Sequence, residues 1–337
     1  MAKSSVFQTS SNSSVRIGTE VTPGTATVAG GVTLEMPVTE YSFSELDKHS
    51  LSIAPFRSGI GGMTQSDDMV KWQRHDRMHE ISLTFHATAQ ALDRVCLALF
   101  GDDQTPNILL ASMPTAIQSH VKHGVANITP VTIWFENASH NGATASVPND
   151  MFFTSCMCTS LTLSGDVGSN GGVVMATATF VTGYEATQST LTFTGTNTAI
   201  SAQATMFNMH DMTTAQTLDG EDLVLYNFEL NIAREVNRVG FDQANAFQPS
   251  GYSVGGYEVT GSLTCKRDDE SAAAIDNPAG MVLDLDTGVF QITAPKVFVD
   301  DSSINFDTDG WKQVIPFRCT YDSAATTNPV VTIGTAA

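Results

Sequence analysis

Two stretches of this chain follow the same pattern at a distance of about half the chain length. Residues 80–87 and 258–265 place apolar and polar residues in the same order, and their offset in residue number is 258 − 80 = 178. A run with helical character follows each of them, at residues 89–100 and 268–275. Self-similarity at such a period indicates a duplicated structural unit. The repeat therefore predicts two copies of one domain, each with a strand that leads into a short helix.

The composition favours strands over helices. The chain has 337 residues, of which 42% are hydrophobic and 15% charged, so it has enough apolar material for more than one core. Thr, Ser, Val and Gly are abundant, and these residue types favour strands and turns. We expect a mainly β protein divided into an extended N-terminal arm at 1–33, a first domain at 34–186, a linker or edge segment at 187–220 and a second domain at 221–337.

Apolar patterning predicts the strands of both domains. Those of the first domain are 36–43, 80–87, 108–110, 131–136, 151–164 and 173–181. Those of the second domain are 223–232, 257–265, 281–285, 289–294, 296–299 and 311–320. Two long connections, at 54–78 and 240–249, carry glycine and aromatic residues, and long loops in compact domains are usually functional. We expect these two loops to make contacts with other molecules.

The charge of the chain restricts its partners. There are 35 acidic and 16 basic side chains, which give a net charge of −19 and repel phosphate. Tight, charge-driven binding to nucleic acid or to an anionic membrane is therefore excluded. The first residues contain no apolar run, and no stretch of about 18 apolar residues occurs, so neither a signal peptide nor a membrane span is expected. Five cysteines without a C-x-x-C pair predict buried, reduced thiols and folding in a cytoplasm.

Three short motifs resemble catalytic or phosphate-binding signatures, and the context of each argues against that role. The G-x-S-x-G pattern at 251–255 lacks the preceding strand and following helix of a hydrolase nucleophile, which indicates a flexible loop end. The Asp-Thr-Gly triplet at 286–288 has no second copy to share a proton with, which indicates a turn. The glycines of 59–62 lack a following Lys-Ser/Thr, which indicates loop flexibility. No catalytic residue is predicted.

The possible metal ligands occur only as isolated pairs. These are His75 with His79, His120 with His123, and Cys156 with Cys158. A closed zinc site needs about four ligands, so the pairs indicate surface histidines and two cysteines on one face of a strand. We expect no metal, no cofactor and no enzymatic activity.

Several sequence segments resemble the tail tube (major tail) proteins of long-tailed bacteriophages. The phrase Arg-Ile-Gly-Thr-Glu-Val-Thr-Pro-Gly at 16–24 is similar to one common near the N-terminus of that family. The strand pair Leu-Thr-Leu-Ser-Gly-Asp at 161–166 and Val-Met-Ala-Thr-Ala-Thr at 174–179 is similar as well, and so is Tyr-Glu-Val-Thr-Gly-Ser-Leu at 257–263. The likeness extends over most of both predicted domains.

The resemblance implies a fold and a function. Each domain would be a tail-tube-type β-sandwich or barrel with one flanking short helix, related also to the tube proteins of type VI secretion. The chain would be a structural subunit of the virion tail, assembled in the host cytoplasm into stacked rings around a lumen that conducts the genome during ejection. An acidic lumen would repel the DNA backbone, so the genome would pass without specific binding. The other partners would be further copies of the chain and other tail proteins.

The duplication adds a prediction about symmetry. Family members with one domain per chain form six-membered rings, so three copies of a two-domain chain would close a pseudo-hexameric ring.

The alternative functions are those of another virion ring component, such as a tail terminator or baseplate ring, and of a β-sandwich carbohydrate-binding or adhesion protein. An adhesin would be expected to carry a secretion signal and a surface aromatic platform, and neither is evident in the sequence.

Contacts between subunits must come from segments that reach the next copy. An aromatic and basic set in the first long loop is the strongest candidate, because Trp and Arg are enriched at protein interfaces; stacking on nucleic-acid bases is the alternative interpretation. The aromatic residues of the second loop and an arginine of the arm complete the prediction. The predicted contact residues are Arg16, Phe56, Arg57, Trp72, Arg74, Arg77, Phe241, Phe247 and Pro249.

Overall fold

The protein is mainly β, with two short helices among the residues described, as shown by a computed structural model. The residues that the structure describes are 13–20, 24–26, 33–43, 48–53, 70–76, 78–100, 119–120, 130–137, 151–188, 206–240, 249–275, 277–288, 290–307, 310–320 and 330–334.

Strands make up most of the described residues. In chain order, those up to the middle of the chain are β1 (Ser13–Thr19), β2 (Thr33–Met36), β3 (Val38–Phe43), β4 (Lys48–Ile53), β5 (Val70–Asp76), β6 (His79–His86), β7 (Ser119–His120), β8 (Val131–Asn137), β9 (Met151–Asp166), β10 (Met175–Thr182) and β11 (Thr187–Gln188). The later strands are β12 (Ala215–Leu218), β13 (Glu221–Asp222), β14 (Leu225–Val239), β15 (Gly251–Lys266), β16 (Met281–Asp286), β17 (Gln291–Val299), β18 (Ser303–Asp307), β19 (Gly310–Cys319) and β20 (Thr332–Gly334). The helices are α1 (Ala89–Phe100) and α2 (Asp269–Ala273), and 3₁₀ turns lie at Asn170–Gly172 and Met209–Asp211.

One antiparallel sheet runs through both halves of the chain. Its strands follow the order β3, β6, β10, β9, β14, β15 and β19, and β19 pairs on its far side with both β17 and β18. Side chains alternate along these strands, as in β6, where Ile81, Leu83 and Phe85 are buried and the residues between them are not. The alternation buries one face of the sheet and leaves the other face polar.

A second layer of strands covers the buried face. In the first half, β1 pairs with β2 and β8, and β8 pairs with the beginning of β9. In the second half, β12 pairs with β13 and β16, and β16 pairs with β17. The apolar residues between the layers form the core, to which α1 contributes the face of Leu92, Val95, Cys96 and Leu99 that the sequence predicts.

The two halves repeat the same pairing scheme. The order β3, β6, β10 and β9 in the first half corresponds to β14, β15, β19 and β18 in the second. The registers agree as well: Leu83 pairs with Ala178 and Gly261 pairs with Phe317, and 261 − 83 = 178 is the offset of the sequence repeat. The strands of the second layer match in the same way, with β1 and β8 corresponding to β12 and β16.

Strand β9 takes part in both layers and therefore bends. Ser155 has a positive φ of 49°, and its N–H donates to a carboxylate oxygen of Glu20 at 2.7 Å. The same buried carboxylate accepts from the Thr132 hydroxyl at 2.6 Å and from the Gly24 N–H at 2.9 Å. Burial raises the pKa of Glu20, and these hydrogen bonds act in the opposite direction. Glu20 thus ties β1 and β8 to the bend in β9.

Several predicted boundaries differ from the structure. The predicted strand 36–43 is divided at Pro37 into β2 and β3, whereas residues 291–294 and 296–299 of two predicted strands belong to a single strand, β17. Part of the predicted loop 54–78 is β5, which pairs with β4 in a separate two-stranded sheet. Part of the predicted arm is β1, a strand of the chain's own sheet. The predicted strand at 108–110 lies outside the described residues.

Candidate functional site: a polar sheet face with two open edges

The uncovered side of the long sheet is lined by polar side chains, and we call it the polar face. It consists of residues that alternate with buried apolar ones on eight strands. Its polar members are Glu40, Ser42, Glu80, Ser82, Thr84, His86, Ser160, Thr162, Ser164, Asp166, Thr177, Thr179, Asn227, Glu229, Asn231, Glu258, Thr260, Ser262, Thr264, Lys266, Ser303, Asn305, Lys312 and Arg318, and the same face also includes Met175, Val181, Ala233, Val314 and Pro316.

Rows of these side chains cross the sheet from the first half to the second. In one row the neighbours, in order, are Glu40, Thr84, Thr177, Thr162, Asn231, Thr260 and Arg318. The hydroxyl oxygens of Thr84 and Thr177 are 3.1 Å apart, and the Thr162 hydroxyl donates to the side-chain oxygen of Asn231 at 3.1 Å. Polar groups on this face therefore satisfy part of their hydrogen bonding among themselves.

The polar face carries more acidic than basic groups. Its carboxylates belong to Glu40, Glu80, Asp166, Glu229 and Glu258. The three basic side chains have partners: Arg318 lies 3.9 Å from a carboxylate oxygen of Asp300, the Lys312 ammonium lies 4.6 Å from the ring centroid of Tyr226, and Lys266, opposite Lys312, lies 3.6 Å from a carboxylate oxygen of Asp268. The face is consequently hydroxyl-rich, with an excess of negative charge.

The sheet has two open edges within the described residues. Strand β3 pairs on one side with β6, and strand β18 pairs on one side with β19; no second partner of either strand occurs in the described part of the chain. Residues 39–42 of β3 and 303–306 of β18 are exposed. An open edge offers unpaired N–H and C=O groups to a strand from another molecule.

The β9–β14 pairing joins the two halves across the middle of the sheet. Leu163 lies opposite Leu230 and Ser164 opposite Glu229. Gly165 lies opposite Phe228, and a Cβ atom added to Gly165 would stand 2.6 Å from the Phe228 ring. The absence of a side chain at position 165 leaves the space that this ring occupies.

A buried arginine strengthens the same junction. Arg234 of β14 donates through Nη1 to the main-chain carbonyl oxygen of Leu99 and to the Tyr257 hydroxyl, the second at 2.8 Å. The Tyr257 hydroxyl also donates to the Leu99 carbonyl oxygen at 2.8 Å. Leu99 lies in the last turn of α1, where carbonyl groups lack helical partners and favour a cation. Second-half side chains thus cap a first-half helix.

The structure describes four of the nine contact residues predicted from sequence and does not bring these four into one site. Arg16 lies in β1 and forms an ion pair with Glu136 at 2.6 Å, and Pro249 is buried just before β15. Trp72 and Arg74 lie in β5, opposite Leu51 and His49 of β4. The remaining predicted residues, Phe56, Arg57, Arg77, Phe241 and Phe247, lie outside the described residues. The structure brings no two of the predicted residues together in the part of the chain that it describes, beyond the shared strand β5.

The catalytic-like motifs have structural explanations. The G-x-S-x-G stretch is not a loop end, because Gly251 begins β15 and Ser253 lies inside that strand. Asp286 and Gly288 form the predicted turn: the Gly288 N–H donates to the Asp286 carboxylate at 2.6 Å, and Gly288 has a φ of 78°. Among the described residues, no group of three or more His, Cys, Asp or Glu side chains is placed to bind a metal ion.

The cysteines and helices agree with the remaining expectations. Cys96, Cys156, Cys158, Cys265 and Cys319 are all buried and free of disulfide bonds. Burial raises the pKa of the Cys319 thiol to about 12 and is the main cause that raises the pKa of Cys265 to about 11, so these thiols stay protonated. In the described ranges, neither helix is long and apolar enough to span a membrane.

Sequence reasoning missed the polar face and the two edges. A signal was present, because Ser82 and Thr84 in one repeat and Thr260 and Ser262 in the other alternate with apolar residues. The signal shows that one side of each strand is polar, but it does not show which strands are neighbours. The rows across the sheet depend on long-range pairing that a single sequence does not reveal.

Comparison with known proteins identifies the family. The sequence matches the family described as phage tail tube protein over residues 10–318, a range that includes β3, the β9–β14 junction and β18. No curated protein matches the sequence. The matched range covers most of the chain and agrees with the mainly β fold. The chain therefore belongs to the phage tail tube protein family.

Proposed function

We propose that three copies of this tail tube subunit close one ring, in which β18 of each copy pairs with β3 of the next. Membership in the family makes the chain a structural, self-assembling component of the virion tail that acts with other tail proteins. The observation that carries the ring proposal is the β9–β14 pairing, which already joins two equivalent units inside one chain.

The internal junction defines the register expected between copies. Ser164 pairs with Met175 and Ser303 pairs with Val314. These partners lie opposite His86 and Thr264, and 264 − 86 = 178 is again the offset of the repeat. Ser303 is therefore the equivalent of Ser164.

The opposite edge follows in the same way. Glu229 pairs with Ser262 and Glu40 pairs with Thr84, and 262 − 84 = 178. Glu40 is therefore the equivalent of Glu229. Since Ser164 lies opposite Glu229 within the chain, Ser303 of one copy is expected opposite Glu40 of the next.

The side chains at the two edges fit this register. The pair expected between copies, Ser303 with Glu40, has the same residue types as the internal pair of Ser164 with Glu229. At the next position the internal pair is a small residue, Gly165, with the large Phe228. Between copies the equivalent pair is Ile304 with Val38, because the register of β3 shifts between Val38 and Glu40. Ile304 is larger than its equivalent Gly165, and Val38 is smaller than its equivalent Phe228. Such compensation keeps the volume of the pair similar.

Three copies would close the sheet into a ring. Each chain contributes two equivalent units, and a head-to-tail contact that repeats around an axis closes when the rotation allows it. Three chains supply six units, the number in the rings of single-domain relatives that the family resemblance implies. Eight sheet strands per chain, β3, β6, β10, β9, β14, β15, β19 and β18, would give 3 × 8 = 24 strands around the ring.

The polar face would line the lumen of this ring. The other face is covered by the second layer and by the helices, so the polar face is the side of the sheet left open. Its excess carboxylates would repel phosphates at distances within the Debye length of about 8 Å. The genome would therefore pass through without specific binding. Assembly in the host cytoplasm agrees with the free, buried thiols.

Disulfide trapping tests the proposed contact. Chains carrying Glu40→Cys and chains carrying Ser303→Cys are mixed, assembled and oxidised under mild conditions. We expect disulfide-linked heterodimers, because the proposed register places the two positions opposite each other. The five native thiols are buried and contribute little background.

Two controls calibrate this experiment. The double variant Ser164→Cys/Glu229→Cys occupies the equivalent internal positions and is expected to form a disulfide within one chain. A mixture of Glu258→Cys and Ser303→Cys chains tests random collision, because Glu258 lies on β15, away from both edges. Tubes that give no more heterodimer with Glu40→Cys than with Glu258→Cys would contradict the proposed ring contact.

A further inference from the structure

An exposed apolar cluster lies at the end of the β18–β19 hairpin. Phe306 is 72% exposed, Trp311 60% and Ile304 48%, and the rings of Phe306 and Trp311 meet edge to face with centroids 5.5 Å apart. Ile304 and Phe306 lie opposite Gln313 and Trp311, which belong to the core side of β19. The cluster thus continues the buried face of the sheet past the point where the second layer covers it.

The equivalent place in the first half is covered by residues 206–212, which we call the covering segment. The Phe207 N–H donates to the Ala87 carbonyl oxygen at 3.0 Å, and the Phe207 carbonyl oxygen accepts from the Val174 N–H at 2.8 Å. Phe207, Met209 and Met212 are all buried. The covering segment therefore adds backbone hydrogen bonds and apolar side chains to the end of the first-half sheet.

Residue by residue, the covered and uncovered places correspond. Ala178 and Phe317 are equivalent, with an offset of 317 − 178 = 139, which relates Gly165 to Ile304 and Gly172 to Trp311. A Cβ atom at Gly165 would lie 2.7 Å from Met209, and one at Gly172 would lie 2.6 Å from His210. In the first half, the two glycines leave space for the covering segment. In the second half, the equivalent residues Ile304 and Trp311 have large apolar side chains that are exposed.

The position of the covering segment in the chain indicates what covers the second half. The segment directly precedes β12, whose equivalent in the other unit is β1, and residues 1–12 precede β1. In residue number, Phe207 precedes Ala215, the first residue of β12, by 215 − 207 = 8, and Val6 and Phe7 precede Ser13, the first residue of β1, by 13 − 6 = 7 and 13 − 7 = 6. Both segments therefore carry large apolar residues within eight residues of the start of their strand.

We propose that the cluster of Ile304, Phe306 and Trp311 binds the N-terminal segment, residues 4–12, of the adjacent copy. The inference rests on the proposed ring, because the unit that follows the β18 edge is then the first half of another chain. Val6 and Phe7 would pack against the two aromatic rings, as Phe207 and Met209 pack in the first half. The chain would thereby reach its neighbour through an arm that the sheet pairing alone does not require.

A disulfide experiment tests this binding in assembled tubes. Phe7→Cys chains are mixed with Trp311→Cys chains, assembled and oxidised, and a disulfide-linked heterodimer is expected. The matched control replaces Trp311→Cys by Val282→Cys, an exposed apolar position on β16 of the same half, and should give no such product. Because each chain carries one new thiol, a heterodimer reports contact between two copies. Heterodimer no more abundant than in the control would overturn the proposal.

The outcome is separable from that of the ring proposal. The Glu40→Cys and Ser303→Cys mixture is run in parallel: its cross-link without the Phe7–Trp311 cross-link would overturn the arm contact alone, whereas loss of both would remove the ring on which the arm contact depends.

Tryptophan fluorescence provides a second measurement without new cysteines. Trp311 is exposed in the single chain, so its covering by a neighbour's arm should shift its emission to shorter wavelength on assembly. The Trp311 component is the difference between wild type and Trp311→Phe. Phe7→Ala should lose the shift of that component, while Thr9→Ala, in the same segment, should keep it. A shift that survives Phe7→Ala would contradict the proposed role of Phe7.

Discussion

Glu20 shows how one residue determines the shape of the first half. Its carboxylate is buried and accepts hydrogen bonds from Ser155, Thr132 and Gly24. It thereby holds the positive-φ residue Ser155, at which β9 passes from the second layer to the long sheet. Burial is the largest cause of the raised pKa of Glu20, so the folded state disfavours the ionised form.

The raised pKa predicts a pH dependence of stability. The folded chain holds the Glu20 proton at pH values where the unfolded chain has released it, so this contribution is complete below the unfolded pKa near 4.5 and declines as pH rises through the folded pKa. The largest slope from one carboxylate is about 1.4 kcal/mol per pH unit. Glu20→Gln does not titrate and should lack the decline.

Urea unfolding of the wild type and of Glu20→Gln at a series of pH values from 4.5 upward measures the effect. The free energy of unfolding of the wild type should fall relative to that of the variant as pH rises. Glu258→Gln controls for the removal of one exposed carboxylate from the chain. A difference between wild type and Glu20→Gln that stays constant or grows with pH would refute this role of Glu20.

Arg16 and Pro249 show that the sequence did not predict which groups a single residue contacts. Both were predicted to contact another subunit because of their residue types and loop positions. The structure places Arg16 in an ion pair with Glu136 and buries Pro249 within the chain. Residue type indicates a capacity for contact, but the partner depends on the pairing of β1 with β8, two strands that are far apart in the sequence. Their role between subunits stays a prediction.

At the scale of elements, the junction of α1, β14 and β15 joins the two halves. Arg234 and Tyr257 both bind the Leu99 carbonyl oxygen, and the rings of Phe100 and Tyr257 lie 5.6 Å apart. Hydrogen bonds that involve a charged group contribute about 1.5–3 kcal/mol each. The junction is therefore expected to unfold together with both halves.

Replacement of Arg234 tests this expectation. Arg234→Met keeps much of the apolar stem and removes the hydrogen bonds to Leu99 and Tyr257, so the free energy of unfolding should fall by about 2–3 kcal/mol. Arg318→Met removes an exposed arginine whose ion pair is long, and should cost at most about 1 kcal/mol. Chemical denaturation measures both variants. Equal effects of the two substitutions would show that the buried arginine does not hold the junction.

Element boundaries show which parts of the fold the sequence predicts. Alternation predicted β6, β10 and β19 because each has a buried side and a more exposed side. Pro295 suggested a break between two strands, but the register of β16 and β17 shifts there, and a proline is tolerated at such a bulge. Gly251 suggested a loop end, but β15 begins there because β14 extends to Val239 as its partner. Pairing with a neighbour decides these boundaries.

At the scale of the whole molecule, the chain is a segment of a sheet with two open ends. The first-half edge β3 and the second-half edge β18 are equivalent to β14 and β9, which pair inside the chain. The duplication predicted from the sequence explains why one chain contains both an example of the contact and the two surfaces needed to repeat it. In the proposed ring, the polar face would continue from copy to copy without a change of chemistry.

The number of copies in each ring of an assembled tube decides whether the duplicated chain closes as proposed. Cryo-electron microscopy of tubes formed by the purified chain measures this number. We predict three chains per ring, with six similar units around the lumen and β18 of each chain paired with β3 of the next. A ring of six whole chains would contradict the proposal.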